Sequence, residues 1–512
     1  MKKIFLSTVI TFACIAGLSA QATEFDAIRM AQTDIIGTAR YMGMAGAFGA
    51  LGGDVSAIKI NPAGLGIYRS SDVTATFNFA TQRANANWGG HTAQDDLFGF
   101  GFNNVALVLA SPTWNSRAGN TTGLLQSNWG FSYNRLKNFN RNVSVRGGEM
   151  AVSITDYLAN FTNGIPESEF GRSRNPYDNV DLPWMSILAY ETYLINNNGD
   201  DTWSSVLFQN ELVSPRYHLR ESGFIDQFVI SWGGNFSNTL YFGANLNVQQ
   251  ISYNVRSNYI ERFGDYESLD LFNDLQTTGS GISFDVGLIY RPVDFLRFGF
   301  SYKTPMRYRL TDTHFGDMRT TLVLDNERQR FNERTDNRLY NYNIRIPAVM
   351  TASAAGIIGK RAVISGDFSF TNFRSIKLYD THDGAMYYDE ENERIRNTFN
   401  NGITVRLGTE YRLTDHWSVR AGFAAITSPM PSTAMKQQQL NTTRTDPDFF
   451  RHRGTNYLTA GLGYRSGSWY FDAAFVNRNI VEDFMPYALD RVSSARVVTR
   501  NYDVVTTVGF RF

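Results

Sequence analysis

The chain closes on Tyr502-Asp503-Val504-Val505-Thr506-Thr507-Val508-Gly509-Phe510-Arg511-Phe512. Read backwards in steps of two, Phe512, Phe510, Val508, Thr506, Val504 and Tyr502 form one face, while Arg511, Gly509, Thr507, Asp503 and Asn501 fall on the other. Side chains alternate across an extended chain, so this is a strand with one greasy and one polar side. Exported barrels of the bacterial outer membrane typically close with such a strand, and it is the segment a barrel assembly machinery would meet. The plainer alternative is the last amphipathic strand of a soluble sandwich.

The other end names a compartment. Lys2 and Lys3 precede the apolar run Ile4 to Gly17, and Ala20-Gln21-Ala22 fits the small-x-small rule of signal cleavage, so residues 1–22 read as a removed export signal. Its core is short for a membrane helix. The chain's single cysteine, Cys14, lies inside that core, so the mature protein would hold none. Disulfides, thiolate chemistry and cysteine-ligated metals drop out together. Forty-eight basic residues balance forty-eight acidic ones, which leaves no electrostatic footprint for nucleic acid. With 43% hydrophobic and 14% aromatic residues the chain is too apolar for disorder. Its mean hydropathy of −0.29 argues against a bundle of membrane helices, but not against alternating membrane strands.

The same period of two recurs inward. Leu240, Phe242, Ala244, Leu246 and Val248 alternate with polar or small residues; Ile282 to Tyr290, Leu296 to Tyr302 and Ala362 to Phe370 repeat the pattern. The faces opposite the apolar rows hold Asp285, Arg297, Asp367, Arg406, Glu410, Arg420 and Asp472 amid Gly and Ser. Charges of both signs in a sandwich core would cost several kcal/mol each unless paired. In a wet or plugged lumen they need only hydrogen-bonding partners. Strands are expected near 73–84, 101–111, 127–146, 224–236, 240–262, 279–292, 296–311, 338–357, 361–380, 397–414, 417–430, 454–466, 469–484 and 495–512. That makes an all-β, fourteen-stranded antiparallel transmembrane barrel over 73–512, with short turns after even-numbered strands and long loops after odd ones.

Two segments stand outside this wall. Residues 23–72 mix Gly43, Gly46, Gly49, Gly52 and Gly53 with Ala and Met, then turn at Asn61-Pro62-Ala63-Gly64-Leu65. No phosphate-loop pattern is present, and small residues at this density allow tight packing, so an N-terminal hatch plugging the lumen is expected. The longest loop is 147–222. Within it, Asp181 can cap a helix with Pro183 in its first turn, and Asn196-Asn197-Asn198-Gly199 can stop it. That helix is apolar nearly all round, and Trp184, Ile187, Leu188 and Tyr190 are its candidate contacts for a hydrophobic ligand; packing within the loop is the alternative.

These residues resemble a known family. Gly46 to Asp54, followed by Asn61-Pro62-Ala63-Gly64-Leu65, is similar to the amino-terminal hatch of the FadL and TodX outer membrane transporters for long-chain fatty acids and other hydrophobic compounds. The resemblance continues through Thr278 to Gly281, Gly287 to Pro292, Phe298 to Pro305, Ile346-Pro347-Ala348, Gly408 to Tyr411, Arg420 to Phe423, Pro429 and Pro431. It implies a plugged fourteen-stranded barrel in the outer membrane, through which apolar molecules diffuse without energy coupling. Ligand would be captured among loops, pass to a site in the barrel, and leave sideways after hatch rearrangement. Asn61, Pro62, Ala63 and Gly64 are the implied gating residues.

The function expected is therefore passive transport of hydrophobic molecules, such as long-chain fatty acids or aromatic compounds, with outer membrane lipid and the ligand as partners and no cofactor or metal. Proteins of this look are sometimes labelled haem receptors, and haem would draw on His91, His218, His314, His382, His416 or His452. A structural or adhesive barrel also stays open. No G-x-S-x-G or H-E-x-x-H motif suggests catalysis.

Overall fold

A computed structural model describes residues 22–209, 211–359, 361–381, 388–439 and 442–512. The export signal, Cys14 and His382 therefore lie outside the described residues, Ala22 excepted.

Nineteen hydrogen-bonded segments make one sheet of fourteen passes, because four passes are interrupted and one hairpin arm folds back on its neighbour. In order the passes are Asp72–Trp88, His91–Leu109, Leu124–Asn138 continued by Arg141–Arg146, Ser214–Phe236, Leu240–Phe263, Glu267–Val293, Leu296–Lys303 continued by Met306–Leu324, Arg338–Ile346 continued by Val349–Ile358, Ala362–Asn372 continued by Lys377–Asp380, Asn401–Arg412, Trp417–Thr427, Phe449–Ser466, Trp469–Met485 and Ala495–Arg511. They are called strands one to fourteen below. Each pairs antiparallel with its successor, and strand one pairs with strand fourteen from Asp72–Arg511 to Asn87–Arg496. The sheet closes on itself, so no strand is left as a full-length edge.

Burial runs opposite to that of a soluble protein. Phe284 and Leu288 on strand six are 44% and 42% exposed, while Asp285 between them is 2% exposed. On strand fourteen Tyr502, Val504 and Val508 face out, and Asn501, Val505, Thr507 and Gly509 face in. The greasy face is the outer one, as a bilayer demands. Inside sit residues 22–71, as the helices Glu24–Ala31 and Ala39–Gly43 and the 3-10 turns Val55–Lys59 and Pro62–Ile67. The fold is the plugged barrel expected.

Several strands are longer than the alternation predicts. Strands one and two run on to Trp88 and back from His91 through a Gly89-Gly90 turn, where a long loop was expected. Strands five and six likewise meet at residues 264–266, and strand seven reaches Leu324 before Glu327–Arg334 pairs back on it. Above the bilayer the outer face is wet, so polar residues occupy it and the apolar ones, such as Trp88, Tyr259 and Leu271, turn inward, which breaks the outward apolar row while hydrogen bonding continues. The connections after strands three, nine, eleven and thirteen are long, and those after four, six, eight, ten and twelve are short.

The loop after strand three ends earlier than expected, because strand four starts at Ser214. It holds a helix at Ile154–Thr162, closed by a Ser153/Asp156 capping box, which the sequence reading missed. The expected helix spans Trp184–Glu191, but Pro183 stands at its N-cap and no side chain caps it, so Asp181 has no such role. It stops at Thr192, whose hydroxyl donates to the Leu188 carbonyl at 2.6 Å, with Tyr193 at φ +57°. Asn196 to Gly199 is a strand of a small hairpin with Thr202–Ser205, since Gly199, Asp200 and Asp201 all take positive φ and turn the chain. Residues Asp389–Thr398 form a polar helix, so strand ten begins at Asn401 instead of 397.

Because Leu288 faces lipid across from Phe300, four residues above Leu296 at the short-turn end and so near the middle of the ~25 Å apolar band, Leu288→Arg is expected to destabilise the folded barrel by about 2–4 kcal/mol. Equilibrium urea unfolding in lipid vesicles measures this, and a cost near zero would contradict the outward assignment.

Candidate functional site: a stoppered lumen and a break in the wall

The hatch is irregular backbone, and its buried N–H and C=O groups need partners. The inward side chains of the wall supply them. Asp367 accepts the amides of Phe48 and Gly49 at 3.1 Å, Arg297 donates to the Leu51 carbonyl at 2.8 Å, and Ser301 to that of Ile60 at 2.7 Å. Asn245, which also faces Asp285 at 3.5 Å, donates to Ile58 at 2.9 Å, and Asn128 reaches the carbonyls of Leu65 and Tyr68. Arg406 donates to Ser369 at 2.9 Å. Arg40 of the hatch, Glu410, Arg420 and Asp472 form one chain of ion pairs at 2.9, 2.5 and 2.6 Å. Removing one member would strand a buried charge, at a cost of about 3–5 kcal/mol.

Asn61 is the hatch's tightest joint. Its carboxamide accepts the Ala63 amide at 3.1 Å, capping the turn Pro62–Ile67, and donates to Gly49 at 2.7 Å and to Leu288 of strand six at 3.1 Å. Wall glycines make the approach possible: a Cβ on Gly287 would strike Asn61, and one on Gly243 would strike the Pro62 carbonyl.

At the loop end a second set of charges holds the first hatch helix. Arg444, in the loop after strand eleven, is buried and pairs with Asp446 at 2.6 Å and with Asp26 of that helix at 3.4 Å; Lys436 pairs with Asp446 at 3.0 Å. Arg29, one turn on, bonds Asp26 at 2.8 Å and reaches Glu221 of strand four at 3.9 Å. Phe25 packs on Phe449 with ring centroids 4.8 Å apart. Nothing in the Gln- and Thr-rich stretch 436–448 signals this clasp, because neither period marks it.

Between hatch and clasp lies a cavity of about 300 Å³. Phe25, Ile28, Leu136, Ile346, Met430 and Phe450 give it apolar walls, and Lys59, Lys303 and Arg406 lie toward the hatch. A second space of about 250 Å³ shares Asp34, Ile35, Tyr457 and Arg478 with it and opens between strands two and three. There the wall is broken. Strand two's backbone pairs with strand three only from Asn104 to Leu109, leaving the ladder of its segment 91–103 to strand one, with the Asp95 carboxylate accepting the Ser144 amide of strand three beyond the gap. The cause is local. Strand three is interrupted at Phe139 and Asn140; Phe139 turns inward against Tyr253, and the Asn140 carboxamide accepts the amide of Gly223, held at φ +120°. Leu97, Phe98, Gly99, Asn138 and Asn140 line the gap.

Trp184, Ile187 and Leu188 are buried in the loop's own core, and Tyr190 stacks on Phe170 at 4.5 Å. None of the four lines the lumen cavity. The cavity-lining set was not singled out from the sequence; its members come from many strands and share only an inward position. His314 is buried against Thr445, His452 bonds Thr455 at 2.8 Å, His218 meets Ser144 at 3.0 Å, His416 meets the Arg465 carbonyl at 2.7 Å, and His91 opens strand two. Among these, His452 lines the cavity.

A closed barrel with a lipid-facing apolar surface and an internal stopper defines a plugged transmembrane β-barrel of the bacterial outer membrane. The model of the family of outer membrane protein transport proteins (OMPP1/FadL/TodX) matches residues 234–467, a little under half of the chain. The match takes in the motifs from Thr278 to Pro431 that carry the resemblance read in the sequence. A Pseudomonas aeruginosa FadL homologue of solved structure is 14% identical, with a TM-score of 0.53 over 94% of this chain and 99% of its own; it shares the fold. The Ralstonia pickettii toluene transporter TbuX is also 14% identical, with a TM-score of 0.48 over 93% and 99%. The Pseudomonas putida toluene transporter TodX is 12% identical, with a TM-score of 0.44 over 94% and 98%. No curated protein sequence matches the chain.

Lys59 yields a pH test. It is 6% exposed, donates to the Ile36 carbonyl and lies 4.8 Å over the Tyr41 ring. Burial, reinforced by Lys303, lowers its ammonium from 10.5 to about 7. Between these values the unfolded chain holds a proton that the folded one has shed, so stability rises with pH across that window and is lost as pH falls toward 7. Thermal unfolding of wild type is expected to show this rise and Lys59→Met a shallower one; parallel profiles would refute the assignment.

Proposed function

We propose that this protein is a passive outer membrane channel for hydrophobic molecules such as long-chain fatty acids or aromatic compounds. One observation carries the reading: the lumen cavity runs into a gap in the wall rather than through the stopper. An apolar solute gains nothing from an aqueous pore, and the phosphorylated outer leaflet resists it. A partly apolar chamber behind the loops desolvates it, and an opening toward lipid releases it where it is most soluble. Polar solutes meet the hatch instead. The family match supports transport as the class of function.

Residues 23–72 act in this reading as the hatch, with Asn61, Pro62, Ala63 and Gly64 as the joint that any rearrangement must loosen. Contact with ligand is assigned to the cavity walls, and the apolar helix at Trp184–Glu191 to supporting the loop that roofs them. No energy coupling and no catalytic step enter the scheme.

Purified protein in liposomes is expected to speed uptake of a long-chain fatty acid or a small aromatic, and failure with both would remove the proposal. Gly99 lines the gap with open space around it, so Gly99→Trp is expected to slow uptake several-fold while leaving ligand binding in detergent unchanged. Equal loss of binding and uptake would place the effect in the lumen instead.

A further inference from the structure

On the outer surface of the wall, strand seven points Arg307 and Arg309 away from the lumen, since Met306, Tyr308 and Leu310 are the buried residues. Arg307 stands directly across from Arg345 on strand eight, and Arg345 directly across from Lys377 on strand nine. Three cations thus occupy one row of cross-strand neighbours, with Arg309 one outward position further along strand seven. Like charges placed directly opposite each other destabilise a sheet. Three other outward arginines have acidic partners, Arg256 with Asp274 at 2.7 Å, Arg319 with Asp317 at 2.8 Å and Arg83 with Asp96 at 2.8 Å; what sets this row apart is that its cations stand directly opposite one another. Among the described residues, Arg307, Arg309, Arg345 and Lys377 have no carboxylate partner.

Their height matters. Arg307 is across from Ile282, where the outward face of strand six passes from the exposed Phe284, Val286 and Leu288 to Ser280, Thr278 and Gln276. It lies eleven residues beyond Leu296 at the short-turn end. At ~3.3 Å per residue and a tilt of about 40°, that is about 28 Å, just past an apolar band ~25 Å tall. The row therefore borders the lipid belt on the side of the long loops, where the headgroups of the outer leaflet lie.

We propose that this row binds the phosphate groups of an anionic glycolipid of the outer leaflet. A phosphate between Arg307 and Arg345 accepts paired guanidinium N–H bonds and cancels the repulsion. The acyl chains below it would run along Ile282, Phe284 and Met350, all exposed on the same side. A free anion would satisfy the charges but leave that apolar surface unused. The site is independent of what passes through the lumen.

Native mass spectrometry of the full protein in mild detergent tests this, with a doubly phosphorylated lipid A as probe and its phosphate-free form as comparison. Wild type and Arg256→Gln are expected to retain the phosphorylated lipid, and a protein carrying Arg307→Gln with Arg345→Gln to lose about tenfold or more in binding, the scale of losing a charge-assisted contact. Equal retention by the double variant, equal binding of the two lipids to wild type, or complete displacement by millimolar inorganic phosphate would each overturn the assignment. Should the double variant fail the heat-modifiability check of folding, the two-lipid comparison on wild type decides.

Discussion

In hydrocarbon no water is present to hydrogen-bond a peptide group, so every N–H and C=O at bilayer depth must find its partner within the chain. The rest of the structure follows from that demand. Strand one bonds to strand fourteen because an open edge would leave a row of orphaned groups facing lipid. With the sheet closed, the two faces of each strand meet different media, and Phe284, Asp285 and Val286 fall on opposite sides of one wall.

The lumen then poses the reverse problem. A stopper of short helices and turns brings its own unpaired backbone into a narrow space, and the wall answers with Asp367, Arg297, Asn245 and Ser301. The charges on the inner face are thus docking groups as much as lumen lining. They hold the hatch at the level of strand six while the clasp around Arg444 and Asp26 holds its amino-terminal helix at the mouth. Between those two anchors, the wall loses its backbone ladder beside the Phe139–Asn140 interruption. In the function proposed above, that position would let lumen and lipid meet without unseating the hatch.

Where a side chain's medium differs across a strand, the fold could be read directly. Leu240 to Val248 and Tyr502 to Phe512 show it, and all fourteen passes were legible for that reason. Where the outer face is wet, as at Asn85 and Asn87, the outward residues turn polar and the apolar ones, Ala84, Ala86 and Trp88, face inward, so the greasy row breaks off and the strand end was read as a loop. The helix at Trp184–Glu191 was visible in its composition, but whether its apolar surface met ligand or loop was not, since both bury it equally. The polar helix Asp389–Thr398 and the clasp at Lys436–Asp446 carry no hydrophobic period, so neither left a trace.

By itself the amino-acid sequence determined the barrel, its outward face, the presence of a plug rich in small residues, and the resemblance to a transport family, because each of these is written in local periodicity or in a contiguous motif. Only the tertiary structure decided which inward groups grip the hatch, where the cavity lies and where the wall opens. Those depend on residues such as Asp26 and Arg444, far apart in the chain, meeting across a lumen whose geometry exists only once the last strand has closed on the first.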